Sequence, residues 1–102
     1  MNNKNQQIKN IVAKIDIGKI TVYLKEHPSS KTLKEIVKYS KRALDNNDDK
    51  KVFKLAVDTA YNLDTLVNKT DYVKDEAEKK HWLEIAKELF ENTIGYKEKE
   101  WK

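Results

Sequence analysis

The chain has no cysteine, one proline, two glycines and a single arginine in 102 residues, and each scarcity closes off a class of protein. Without cysteine there is no disulfide scaffold, thiol nucleophile, zinc knuckle or iron–sulfur ligand. Two glycines and one proline supply too little turn chemistry for a β-rich fold, which needs such residues at every hairpin. One arginine, Arg42, leaves little capacity for bidentate reading of bases or phosphates. Long apolar runs are missing too. The longest are three residues, such as Ile11-Val12-Ala13, against the roughly 20 that a bilayer span needs. The first seven residues carry no apolar segment of the signal-peptide kind, so the expectation is a cytoplasmic protein.

What is present is a near balance of charge, 21 basic against 17 acidic groups, with 38% hydrophobic residues. That is enough apolar material for one small core, and the length suits a single domain over residues 1–102. The charge is unevenly placed. Residues 1–51 hold 12 basic and 6 acidic groups, whereas residues 52–102 hold 9 and 11. A basic first half implies either an anionic partner or an attraction between the two halves across the fold.

The periodicity is helical almost throughout. Ile8, Ile11, Val12 and Ile15 follow the spacing of one helix face. Ile20, Val22 and Leu24 alternate in the manner of a strand, but one isolated hairpin is marginal in water, so a helix over about 5–27 is preferred, weakened or bent at Gly18. After Pro28, Thr32 and Glu35 have capping-box spacing and open a helix over 32–45. The loop Asp45–Asp49 offers N-caps for a third helix, 49–68, whose apolar positions spread over roughly 200° of its circumference and mark it as central. Thr70 or Asp71 can cap a fourth, 73–94, with Trp82, Ile85, Ala86, Leu89 and Phe90 on its stripe. Gly95 stands where a left-handed C-cap is expected, before a charged tail over 96–102. The fold expectation is all-α, an antiparallel up-and-down four-helix bundle.

No catalytic, cofactor or metal motif emerges. Asp45, Asn47 and Asp49 copy the opening of a calcium loop, but Lys50 stands at its glycine position and Ala56 at its bidentate glutamate. His27 and His81 lack zinc spacing. Glu84, Glu88 and Glu91 sit at the edge of the apolar stripe and read as a solvated face, with no Glu-x-x-His of the metal bundles. Asp64, near Phe53 and Val57 on the central helix, reads as a partly buried structural acid. The expectation is therefore a protein that is not an enzyme and carries no cofactor.

Helix two places Lys31, Lys34, Lys38, Lys41 and Arg42 within about 100° of arc, opposite Leu33, Ile36 and Val37. Such a face can track phosphates or an anionic membrane surface. Scarce arginine, a central helix too apolar to enter a groove, and no paired strands to form a wing argue against nucleic acid. A solvated face is the plainer reading.

The second half runs Ala60-Tyr-Asn-Leu63-Asp-Thr-Leu66-Val67-Asn-Lys69-Thr-Asp-Tyr72, then an acidic helix start through Glu76, the stripe to Leu89-Phe90, and Gly95-Tyr96. In this pattern, and in its lysine-rich, cysteine-free composition, the chain resembles the small immunity proteins that protect Gram-positive bacteria from their own pediocin-like bacteriocins. The resemblance implies a four-helix bundle that acts by binding, inside the cell, on the bacteriocin-bound complex of mannose phosphotransferase membrane components. It also implies that the C-terminal half sets specificity. On this chain that points to Tyr72, Tyr96 and Trp101 as contact residues, beside Lys34, Lys38, Lys41 and Arg42 of the basic face. Trp82, in phase with the apolar stripe, reads as core. Trp101 either folds back on the bundle or is left for a partner.

Overall fold

Asp16 decides the first feature of the architecture. In the computed structural model, which describes the backbone of residues 3–101 and the side chains of residues 4–93, one helix (α1, Asn3–Val12) ends just before it and a second (α2, Ile17–Glu26) begins just after. The Lys14 and Ile15 N–H groups bond three residues back, to Ile11 and Val12 carbonyls, each at 3.0 Å, tightening and ending α1. Asp16 then adopts an extended backbone, and its carboxylate accepts from the Lys19 N–H at 3.1 Å. That is an N-cap, and it restarts the helix in a new direction. The single helix expected over 5–27 is thus two, and Ile20–Leu24 is helical.

Three further helices follow, α3 (Lys31–Asp45), α4 (Asp49–Asn68) and α5 (Glu76–Trp101), giving five helices and no strand among the described residues. The expectation of four helices needs correcting to that extent. Smaller corrections concern the caps. Ser30, not Thr32, caps α3, its hydroxyl accepting from the Leu33 N–H at 3.2 Å. For α4 the cap does come from the expected loop, Asp48 accepting from the Lys50 N–H at 3.0 Å. Asp75 serves α5, accepting from the Ala77 N–H at 3.1 Å, while the Thr70 hydroxyl is turned back to the Leu66 carbonyl. At the other end α5 runs through Gly95, so no C-cap forms there and no separate tail begins. One helical glycine costs only about 1 kcal/mol, and the Lys and Glu residues of 97–100 are good helix formers.

The helix α4 lies between α3 and α5, with α1 laid against all three and α2 packed on α3. The widely spread apolar surface of α4 is what permits neighbours on two sides. Ile8 and Val12 of α1, Leu33 and Ile36 of α3, Val52, Leu63 and Leu66 of α4, and Trp82 and Leu89 of α5 join one core. Val73, in the α4–α5 link, closes it and is 1% exposed. Three hydroxyls are buried with this core, those of Ser40, Thr59 and Thr93, and each donates to the carbonyl four residues back, which satisfies it without a partner from another helix. The molecule measures 40 × 22 × 22 Å. Among the described residues no helix is long and apolar enough to cross a membrane.

Candidate functional site

The basic residues singled out from sequence do share a surface. Lys34, Lys38, Lys41 and Arg42 are all exposed on the outer face of α3, and none forms an ion pair among the described residues. Lys38 instead sits over the ring of its neighbour Tyr39, 5.5 Å from the centroid. Lys31, at the start of the same face, is likewise exposed. The first turn of α3 contains no acidic residue, although that end of a helix favours negative charge.

This face continues into an open groove of about 630 Å³ between α3 and α4. Tyr39 and Leu55 are its half-buried centre, and Arg42, Lys51 and Lys54 stand exposed around it. Positions 39, 42 and 45 on α3 and 51, 54, 55 and 58 on α4 are helical-face spacings, so the two neighbouring helices present matching stripes, with Asn46, the C-cap of α3, beside them. Asp45 and Asp58 also line the groove. Glu35, one turn before Tyr39, raises the pKa of its phenol above the ordinary value. Lys51, Lys54 and Leu55 were not legible as site residues, because only the α3–α4 pairing brings them beside Arg42. A second groove, between the end of α4 and the start of α5, is lined by Val67, Leu83, Lys79, Lys80, Lys87 and Glu84 and is of mixed charge.

Tyr72 belongs elsewhere. It lies half-buried in the α4–α5 link, its ring stacked on that of His27 at 3.9 Å with an interplanar angle of 19°. Tyr72 does not line the α3–α4 groove; its stack lies on the link that leads into α3. The side chains of Tyr96 and Trp101 lie outside the described residues, so only their place in α5 is assigned.

Beside the His27–Tyr72 stack is a polar cluster that sequence reasoning missed. Glu78 Oε1 accepts from the Tyr23 hydroxyl at 2.5 Å and from Trp82 Nε1 at 3.3 Å, and Lys19 Nζ is 3.8 Å from Oε2. The Glu78 side chain is only 11% exposed. Burial, and then the hydrogen bond and charge of Glu78, push the Tyr23 pKa up to about 12. The tyrosine is thus a donor at neutral pH and the carboxylate has its oxygens engaged by three partners. This cluster fixes α2 to α5. The only sequence trace of it was the i, i+4 spacing of Glu78 and Trp82.

The acids noted in the sequence are also accounted for locally. Asp64 accepts from Asn68 one turn on, at 2.9 Å. Glu88 pairs with Lys14 at 3.0 Å, tying α5 to the α1–α2 turn. His81 is exposed beside the fully buried Trp82.

No protein-family model matches this chain, and neither a curated protein nor a solved structure matches it.

Proposed function

We propose that the protein acts by binding a partner and not by catalysis, in the manner of the immunity proteins for pediocin-like bacteriocins that its second half resembles. On this reading α1 and α2 together form the first, broken arm of an up-and-down four-helix bundle, completed by α3, α4 and α5. The protein works in the cytoplasm of a Gram-positive producer, on the bacteriocin-bound receptor complex of the membrane. The observation that carries the reading is the pattern of residues 60–96 itself, in which an apolar helix, a Tyr72 link and a long Trp82-centred helix follow one another. Tyr72, Tyr96 and Trp101 are the contact residues it nominates. Expression in a strain sensitive to pediocin-like peptides tests it directly. Raised tolerance to one member of a peptide panel supports the reading, and unchanged sensitivity to every member removes it.

A second reading has its own observation. The exposed cations Lys34, Lys38, Lys41 and Arg42, none of them in an ion pair among the described residues, suit a small regulator that binds nucleic acid or another protein through α3. Electrophoretic shift of a duplex at about 50 mM salt, with loss at about 200 mM, is the nucleic-acid signature. Absence of a shift at the lower salt leaves only the protein partner.

A further inference from the structure

We infer that the α3–α4 groove is a docking site for an acidic, amphipathic segment of a partner protein. The groove has the anatomy of a small protein interface, an apolar centre inside a charged rim. Its centre is Leu55 and the Tyr39 ring, both half-buried. Its rim is the exposed Arg42, Lys51, Lys54 and Asp45 with the half-buried Asp58, three cations to two acids, and of the two grooves only this one adjoins the further lysines of α3. Its volume of about 630 Å³ falls within the usual range for ligand clefts. The lining covers six residue steps of α3, from 39 to 45, and seven of α4, from 51 to 58, about 9–10 Å or nearly two helical turns. Two turns of a helix laid in this groove set one or two apolar side chains on Leu55 and Tyr39, with carboxylates on both sides within reach of the rim.

Charge decides the class of occupant. The rim cations, continued by Lys34, Lys38 and Lys41 on the outer face of α3, attract an anionic partner and speed its arrival. A phosphate chain or a lipid leaflet is uniformly anionic, and either meets Asp45 and Asp58 in the same groove. A polypeptide does not have that difficulty. It can set a lysine, a hydroxyl or a backbone N–H against those two carboxylates while its own acids pair with Arg42, Lys51 and Lys54. The apolar centre also has no use for a phosphate backbone, and among the described residues the one large apolar group exposed on α3 is Leu44, a single side chain beside Lys41 and not the apolar face that seats a helix on a membrane.

The inference does not rest on the immunity reading, and the two fail separately. A chain that docks the peptide and confers no protection keeps the first and loses the second.

The test is an amide-shift titration of the isotopically labelled full chain with a synthetic amidated helix of about 14 residues, about 21 Å long. The peptide carries leucine at i and i+4 and glutamate on both flanks. Saturable shifts at Tyr39, Arg42, Lys54 and Leu55, at peptide concentrations up to about 1 mM, are the expected result. Arg42→Glu combined with Lys54→Glu should weaken binding at least tenfold and restore it for a lysine-flanked peptide of the same apolar pattern. Both changes are at exposed positions, so the melting temperature serves as the control for folding. Lys79→Glu with Lys80→Glu, on the other groove, should leave binding unchanged. No shifts, shifts centred away from these residues, or equal binding by the reversed variant would each overturn the inference. So would tighter engagement of the same residues by a DNA duplex or by phosphatidylglycerol vesicles.

Discussion

Glu78 does the most for its size, and it does so through three partners, Lys19 and Tyr23 from α2 and Trp82 from its own helix. Removing its carboxylate by Glu78→Ala leaves the Tyr23 hydroxyl and the Trp82 N–H without their acceptor, so the expected cost is that of orphaned part-buried donors, about 1–3 kcal/mol. For a domain of this length each kcal/mol lowers the melting temperature by about 4–8 °C. Tyr23→Phe removes a donor while leaving Glu78 its other partners, and should cost less. The same pair has a pH signature. Tyr23 has its pKa raised from 10.0 to about 12 in the folded chain, first by burial and then by Glu78, so the folded state keeps a phenolic proton that the unfolded chain releases. Stability from this group is intact below pH 10 and is lost as pH rises through about 12. Thermal melts across that window should show a steeper alkaline loss in the parent than in Tyr23→Phe. Tyr39, whose phenol is also held up by Glu35, is common to both and cancels. Parallel curves for the two proteins would mean that Tyr23 does not couple to folding. Apart from the spacing of Glu78 and Trp82 this cluster was not legible in the sequence, because 55 positions separate Tyr23 from Glu78 and no local pattern links them.

The break between α1 and α2 is where periodicity and capping disagree, and capping wins. Ile8, Ile11, Val12, Ile15 and Ile20 are all buried, so the apolar pattern alone extends one helix through the break. The Asp16 cap costs the fold that continuity and offsets the loss by satisfying the Lys19 N–H. Gly18 belongs to the same device. A Cβ at this position would lie 3.3 Å from Asp16 Oδ1, the oxygen that accepts from Lys19. Gly18→Ala should therefore gain little on its own, since its helix-propensity advantage of up to about 1 kcal/mol is offset by a crowded cap. In an Asp16→Ala background, already weakened by about 1 kcal/mol, the same change should deliver its full gain. A double-mutant cycle read by urea denaturation measures the coupling, and equal effects of Gly18→Ala in both backgrounds would show that the glycine has no part in the cap. The other helices divide by how local their signals are. The bounds of α4, 49–68, were readable because an Asp cap and a wide apolar stripe agree. The far end of α5 was misread because one glycine was weighted above the helix-forming residues that follow it.

The surplus positive charge is settled by what each helix faces. Lys14 and Lys19, from the basic first half, reach acids of α5, and this is the attraction between halves that the sequence balance suggested. The lysines of α3 have no such partner among the described residues. Lys34 is the clearest case. It is exposed, lies in the opening turns of a helix whose dipole disfavours cations there, and has Lys31 three residues before it and Lys38 four after, with no acid at either helical-neighbour spacing. Two like-charge neighbours at about 0.2–0.5 kcal/mol each, plus the dipole, make this lysine a net liability to folding. Replacing it should stabilise the chain. Lys34→Gln, of nearly equal helix propensity, removes the repulsion, and Lys34→Glu goes further by pairing with Lys38 in the favoured order. The expected ranking of melting temperature at low salt puts Lys34→Glu above Lys34→Gln and both above the parent, by a few degrees in all, narrowing as salt rises and screens the exposed charges. Parent stability equal to or above both variants at every salt would mean that the face is electrostatically neutral to the fold. If the ranking holds, the chain carries at Lys34 a residue that its own stability disfavours, which mutation–selection balance alone allows, so the ranking needs a binding readout beside it. Weaker docking of an acidic peptide by the more stable variant would give this lysine a role on the basic side of the α3–α4 groove.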